Sequence, residues 1–207
     1  MLNVAMLSKW HVHAEGYANQ VVNTGKARIT AVWDEDANRG SEWAKQLGCD
    51  FVQDLDSLLS RDDVDAVICD APTTMHRDVM VKAALAGKHI FTEKAMAPTV
   101  SECEDIAKAV EQTGVTFVIS LPQRTSPVIQ LARKLIKNNE FGKISLVRIR
   151  NGHDGISAGW LPEYWFDESM AAGGALMDLG CHPMYTACYF LGKPVRIASL
   201  LTAPFGS

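Results

Sequence analysis

Over residues 1–121, short apolar runs alternate with longer stretches in which apolar residues recur every three or four positions. The runs at 3–7, 28–33, 65–70, 89–92 and 115–121 are rich in Val, Ile and Phe and show no polar alternation. That is the pattern of strands buried on both faces. The stretches at 12–24, 37–47, 55–59, 77–86 and 100–112 read as helices. Gly25, Gly48, Gly87 and Gly114 each follow one of them, where a left-handed C-terminal cap is expected, and Thr99 or Ser101 is placed to cap the start of the last. Regular alternation of strand and helix predicts an α/β fold, a doubly wound parallel sheet with right-handed crossovers. After Leu121 the rhythm changes. A helix is expected over 127–138, a strand with one polar face over 144–150, and a loop-rich stretch over 151–172 carrying Trp160, Tyr164 and Trp165. A long helix over 174–191 and a strand over 195–201 complete the pattern. This divides the chain into a first domain, 1–121, and a shorter α+β second domain, 122–207.

Composition narrows the classes. The 207 residues are 47% hydrophobic and 21% charged, with a net charge of −4. Nothing suggests a basic field for nucleic acid or anionic lipid, so neither is an expected partner. No apolar run approaches the ~20 residues that span a bilayer, and the N-terminal residues do not read as a signal peptide. The five cysteines form no C-x-x-C pair. An odd, scattered set suits reduced thiols, and a cytoplasmic location is expected.

The first strand-to-helix turn, Ser8-Lys9-Trp10-His11-Val12-His13, contains no glycine. Phosphate could still meet the free N–H groups and dipole of the following helix, helped by the Ser8 hydroxyl or the Lys9 ammonium. Equally, Trp10 and His11 could simply pack the top of the sheet. Asp34 ends the second strand. It could accept hydrogen bonds from an adenosine ribose and repel a 2′-phosphate, or it could cap the next helix. His11-x-His13 invites a metal-dependent hydrolase reading, but such barrels need eight βα units and zinc needs further ligands. No metal is therefore expected. Lys94 follows a buried strand, so it emerges at the carboxyl edge where open α/β sheets bind ligands. Asp178 and His182 are four apart and would share one helical face behind Gly173-Gly174.

Gly87-Lys88-His89-Ile90-Phe91-Thr92-Glu93-Lys94, the Ala71-Pro72-Thr73-Thr74-x-His76 loop, and the run from Gly173-Gly174 through Asp178 to His182 together resemble the Gfo/Idh/MocA family, the glucose-fructose oxidoreductase and inositol dehydrogenase relatives. The resemblance covers nearly the whole chain. It implies a Rossmann-type first domain and a truncated second domain with part of a mixed sheet. It implies hydride transfer between a nicotinamide cofactor, NAD rather than NADP given Asp34, and a hydroxyl-bearing carbon of a sugar, cyclitol or related small molecule. Lys94, Asp178 and His182 fall on the family's catalytic positions. Ser8, Lys9, Trp10, His11, Asp34, Pro72, His76 and Glu93 fall where the cofactor is bound, and a homo-oligomer is expected. Three features depart from the family pattern. Ser8, Trp10 and His13 replace the loop glycines, Ala95 replaces a proline after the motif lysine, and the chain is short. They keep a rival reading open, a non-catalytic nucleotide- or sugar-binding sensor on the same fold.

Overall fold

A computed structural model describes residues 1–202, apart from the side chain of Glu168. Strands β1 (Leu2–Leu7), β2 (Ala27–Trp33), β3 (Asp50–Phe51), β4 (Ala66–Cys69), β5 (His89–Thr92) and β6 (Phe117–Ile119) form one parallel sheet in the order β3-β2-β1-β4-β5-β6. The connecting helices are α1 (Ala14–Asn23), α2 (Ala37–Leu47), α3 (Leu55–Leu59), α4 (His76–Leu85) and α5 (Val100–Thr113). The order reverses beside β1, so the carboxyl ends of β1 and β4 flank a topological switch point.

Side chains alternate across the sheet and so build two cores. Ala5, Leu7, Val67, Cys69 and Ile90 face a cluster with Leu58, Val79, Met80 and Ile106. Val4, Met6, Val32 and Ile68 face the other, with Ala14, Ala18, Trp43 and Ala44. The helices stop and start where the pattern placed their caps. Gly48, Gly87 and Gly114 all have φ near +70°. Thr99 accepts from the Glu102 N–H while Glu102 accepts from the Thr99 N–H, a full capping box. β3 is a sixth strand that the hydrophobic pattern does not reveal. Its two residues are too few to show a period.

The chain forms two compact units, Met1–Ser120 with Asp154–Asp178, and Leu121–His153 with Leu179–Ser207. The first unit thus takes a segment from the middle of the second part of the chain. In chain order after β6 come α6 (Pro122–Thr125), α7 (Pro127–Lys137), a 3-10 turn at Glu163–Phe166, α8 (Glu168–Ala171), α9 (Gly174–Asp178) and α10 (Cys181–Leu191).

Two expectations for the second part are corrected. Residues 144–150 and 195–201 form no strand, and no neighbouring strand pairs with either. Alternation specifies a face, but a strand exists only with a hydrogen-bonded partner. The helix expected over 174–191 is interrupted at Leu179–Gly180. Pro183 explains the break. In a continuous helix it would lack an N–H for the Leu179 carbonyl and would clash with it. With the break, Pro183 falls in the first turn of α10, and the freed Leu179 carbonyl accepts from the Asn151 side-chain amide at 3.1 Å.

Candidate active site

The first turn is closed on itself. Ser8, buried, has φ 74°, the left-handed backbone a glycine would supply. Its N–H donates to the Trp33 carbonyl at 2.6 Å, and its hydroxyl accepts from the Trp10 N–H at 3.0 Å. The Lys9 N–H donates to Asp34 Oδ2 at 2.8 Å, His11 N–H to the Asp70 carbonyl at 3.0 Å, and His13 N–H to His11 Nδ1 at 3.2 Å. Most donors that a glycine turn would offer to phosphate therefore already have partners. The Lys9 ammonium pairs with Glu15 at 2.6 Å and lies 5.7 Å over the Trp43 ring. Trp10 is 2% exposed. It stacks on Trp165 with ring centroids 4.5 Å apart and planes 13° from parallel, and Tyr164 donates its hydroxyl proton to the Trp10 carbonyl at 3.0 Å. Tyr164 and Trp165 are thus packing partners of the turn. Trp160 is half-exposed and donates its indole N–H to Asp154.

Asp34 is not a helix cap, because Asp36 caps α2. Its two oxygens accept from the N–H groups of Lys9 and Asp36, both at 2.8 Å, and from Arg39 Nε at 3.0 Å and Nη2 at 2.6 Å. Gly40 lets α2 sit this close: a Cβ there would lie 2.5 Å from the Asp34 Cβ and 2.6 Å from the Phe51 ring.

At the ends of β4 and β5 the polar groups are deeply buried. Asp70 is fully buried, and among the described residues neither carboxyl oxygen has a hydrogen-bond partner. Burial, followed by the charge of Glu93, pushes its pKa well above the usual carboxylate range. Pro72 is buried in the next turn. His76 is buried behind it, with Nε2 3.0 Å from the Ala71 carbonyl and Nδ1 2.8 Å from the Ala95 carbonyl. Burial lowers its pKa, opposed by these carbonyls, and the ring ties the Ala71 turn to the loop that carries Lys94. Glu93 is 1% exposed. It accepts from the Tyr17 hydroxyl at 2.9 Å and the Lys94 N–H at 3.2 Å, and it lies 3.0 Å from His13 Nδ1. Burial works to raise its pKa, but the His13 hydrogen bond and the nearby cationic groups outweigh it, and the pKa falls below the ordinary value. Burial and then Glu93 raise the Tyr17 phenol.

Lys94 is 6% exposed at the carboxyl edge of β5. Its ammonium donates to the Asp178 carbonyl at 3.0 Å and forms an ion pair with the Asp178 carboxylate. The Lys94–Ala95 peptide bond is cis. Trp10, His11, Thr73, Lys94, Trp165 and Asp178 line a cavity of about 20 Å³, room for roughly one water. Ligand-capable atoms of His11, His13 and Glu93 lie within 4.8 Å of one another.

Residues 11–121 match the family described as an oxidoreductase family with an NAD-binding Rossmann fold, and residues 129–206 match the GFO/IDH/MocA C-terminal domain. The chain belongs to the GFO/IDH/MocA oxidoreductase family. A 2,7-anhydro-N-acetylneuraminate hydratase of Escherichia coli is 39% identical over 127 residues, 61% of this chain and 34% of that protein. The scyllo-inositol 2-dehydrogenase (NAD(+)) of Bacillus subtilis is 29% identical over 192 residues, 90% of this chain and 54% of that protein. Among solved structures, GenD2 from gentamicin A biosynthesis in complex with NAD has a TM-score of 0.82 at 25% identity, covering 93% of this chain and 54% of that one. This member spans a third to about half the length of these relatives.

Within this NAD-binding family, the residues fit the cofactor unevenly. Asp34 stands at the sheet edge that suits an adenosine ribose, but its two oxygens already accept from Lys9, Asp36 and Arg39. The first turn keeps the glycine-like backbone at Ser8 but buries Trp10 beside it. Lys94 and Asp178 meet directly. The interruption before α10 removes the shared helical face expected for Asp178 and His182, and His182 Nδ1 lies 2.9 Å from the Tyr185 hydroxyl. Tyr17 and Asp70 join the site without having been expected from the sequence. Tyr17 lies one helical turn beyond His13, and Asp70 ends a strand as Asp34 does, so both carry a positional signal.

Among the described residues no helix is long and apolar enough to cross a membrane.

Proposed function

We propose that this protein is an NAD(H)-dependent oxidoreductase acting on a hydroxyl-bearing carbon of a sugar, cyclitol or related polyol. The observation that carries the reading is the buried Lys94 ammonium, paired with Asp178 at the carboxyl edge of a parallel sheet. Holding a cation and a carboxylate out of water is costly. Such a pair in a cavity at a ligand-binding edge suits chemistry on an oxygen.

When bound, the nicotinamide supplies the hydride acceptor. Asp34 would hold the adenosine ribose, with Ser8 and Lys9 nearest the phosphates. Lys94 stabilises negative charge developing on the reacting hydroxyl oxygen, and Asp178 orients the Lys94 ammonium. The test is NADH formation by the purified protein with NAD+ and a panel of scyllo-inositol, D-xylose and levoglucosan. Turnover that disappears in Lys94→Ala, with NADH affinity unchanged within a few-fold, supports the reading. Wild-type protein that binds NADH but turns over nothing favours the sensor reading.

A second reading, hydration with no net redox change, is favoured by the named activity of the E. coli relative. Product formed without accumulation of NADH would point to it.

A further inference from the structure

We infer that His11 is a fixed, neutral hydrogen-bond donor that presents Nε2–H to a substrate oxygen in the Lys94–Asp178 cavity, and that it is not a metal ligand. The inference rests on the oxidoreductase reading for the identity of that oxygen, but not for the state of the ring.

Three observations converge. The backbone N–H of His13 donates to His11 Nδ1 at 3.2 Å, so Nδ1 must carry a lone pair. A neutral imidazole with an accepting Nδ1 has its proton on Nε2. The ring cannot easily turn away, because the His11 N–H is tied to the Asp70 carbonyl and the Trp165 ring packs edge-on at a centroid distance of 4.9 Å. Finally, Nε2 is buried, lacks a hydrogen-bond partner among the described residues, and belongs to a side chain that lines the cavity beside Lys94 and Asp178. Glu93 Oε1 lies 4.0 Å from Nε2, beyond hydrogen-bond reach. A buried donor without a partner is costly, and a substrate oxygen in the cavity would satisfy it.

The titration behaviour agrees. Burial lowers the His11 pKa to about 3; Glu93 opposes this, while Lys94 adds to it. The ring therefore stays neutral throughout the working pH range. It offers a donor without adding a positive charge beside Lys94.

The same tautomer bears on the cluster of His11, His13 and Glu93. A metal at Nε2 would need the proton moved to Nδ1, which would put two donors, Nδ1–H and the His13 N–H, against each other. His13 Nδ1 is moreover already within hydrogen-bond distance of Glu93.

The experiment has two arms. Nitrogen-15 NMR of histidine-labelled full-length protein reads the ring directly. Expected are the Nε2–H tautomer for His11 and no titration between pH 7.5 and 5. An Nδ1–H tautomer, a midpoint near 6.5, or stoichiometric zinc that is lost in His11→Gln would overturn the inference. The kinetic arm uses scyllo-inositol with NAD+. His11→Phe, which keeps a ring but has no donor, should lower kcat roughly 100-fold, as removal of one oxyanion donor does. His11→Gln, whose amide can donate, should recover a substantial part. Turnover lost in Lys94→Ala but unchanged in His11→Phe overturns the role of His11 and leaves the oxidoreductase reading standing. If wild type does not turn over this polyol, that reading fails for it, and the NMR arm alone decides the state of His11.

Discussion

Replacing His11 with Gln should flatten the acid side of the stability profile. The unfolded chain binds a proton at His11 below about pH 6.5, whereas the folded chain resists protonation until about pH 3. Between these values the unfolded state holds more protons, so stability falls as pH falls. The contribution is fully present above pH 6.5 and lost progressively toward pH 3. At pH 5 the gap from the unfolded midpoint is about 1.5 pH units, and at 1.36 kcal/mol per unit the loss is about 2 kcal/mol. Urea unfolding at pH 7.5 and pH 5, followed by tryptophan fluorescence, measures it. With a slope of about 2 kcal/mol per molar, the wild-type midpoint should drop by roughly 1 M more than that of His11→Gln. His76, also buried with a lowered pKa, has the same sign but is common to both proteins and cancels in the comparison. Parallel profiles for wild type and variant, within about 0.5 kcal/mol, would refute the claim that burial keeps the ring neutral.

Asp70 should show the opposite slope. Its folded pKa is raised, so its contribution is intact below the unfolded value and is lost as pH rises toward the folded one. Asp70→Asn should therefore gain stability relative to wild type from pH 4 to pH 7 in thermal melts, and a constant difference would sink the reasoning. Gly40→Ala should destabilise by about 1–3 kcal/mol, because its Cβ would meet the Asp34 Cβ at 2.5 Å and cannot be accommodated without moving α2; an unchanged denaturation midpoint would count against it. Asp34→Ser should weaken NADH binding and narrow the gap to NADPH by calorimetric titration. Arg39, released from its two bonds to Asp34, then keeps its ion pair with Glu35 but can turn its guanidinium toward a 2′-phosphate. Tighter NADPH than NADH binding by the wild type would remove the role assigned to Asp34.

The features legible in the amino-acid sequence are those fixed by local rules. The parallel strands declare themselves by unbroken apolar runs, and the left-handed glycines mark where helices end. Lys94 can be placed at the carboxyl edge because it directly follows such a run. The partners of these residues are not legible, because long-range contacts leave no local period. Nothing near Trp10 announces that Trp165 stacks on it, and nothing near Asp34 separates a ribose acceptor from an acid already held by Arg39. The second part misleads for a related reason. Residues 144–150 carry a strand's alternation, but the pattern cannot supply a neighbour. The break before α10 is visible in Gly180 and Pro183, yet the apolar period runs straight through them.

The chain passes between its two units three times, after residues 120, 153 and 178. The boundary most visible in the sequence is therefore not a place where the protein can be cut. A piece ending near residue 121 would keep all six strands but lose Asp178, Tyr164 and Trp165. Lys94 would be left without its carboxylate, and the face of Trp10 that Trp165 covers would be open to water. A graft of the first domain that omits residues 154–178 would leave Lys94 without Asp178 and Trp10 without Trp165. The site is thus assembled from two separate stretches of chain, and a chimera that respects only the linear boundary should come out with a sound sheet and an unpaired Lys94.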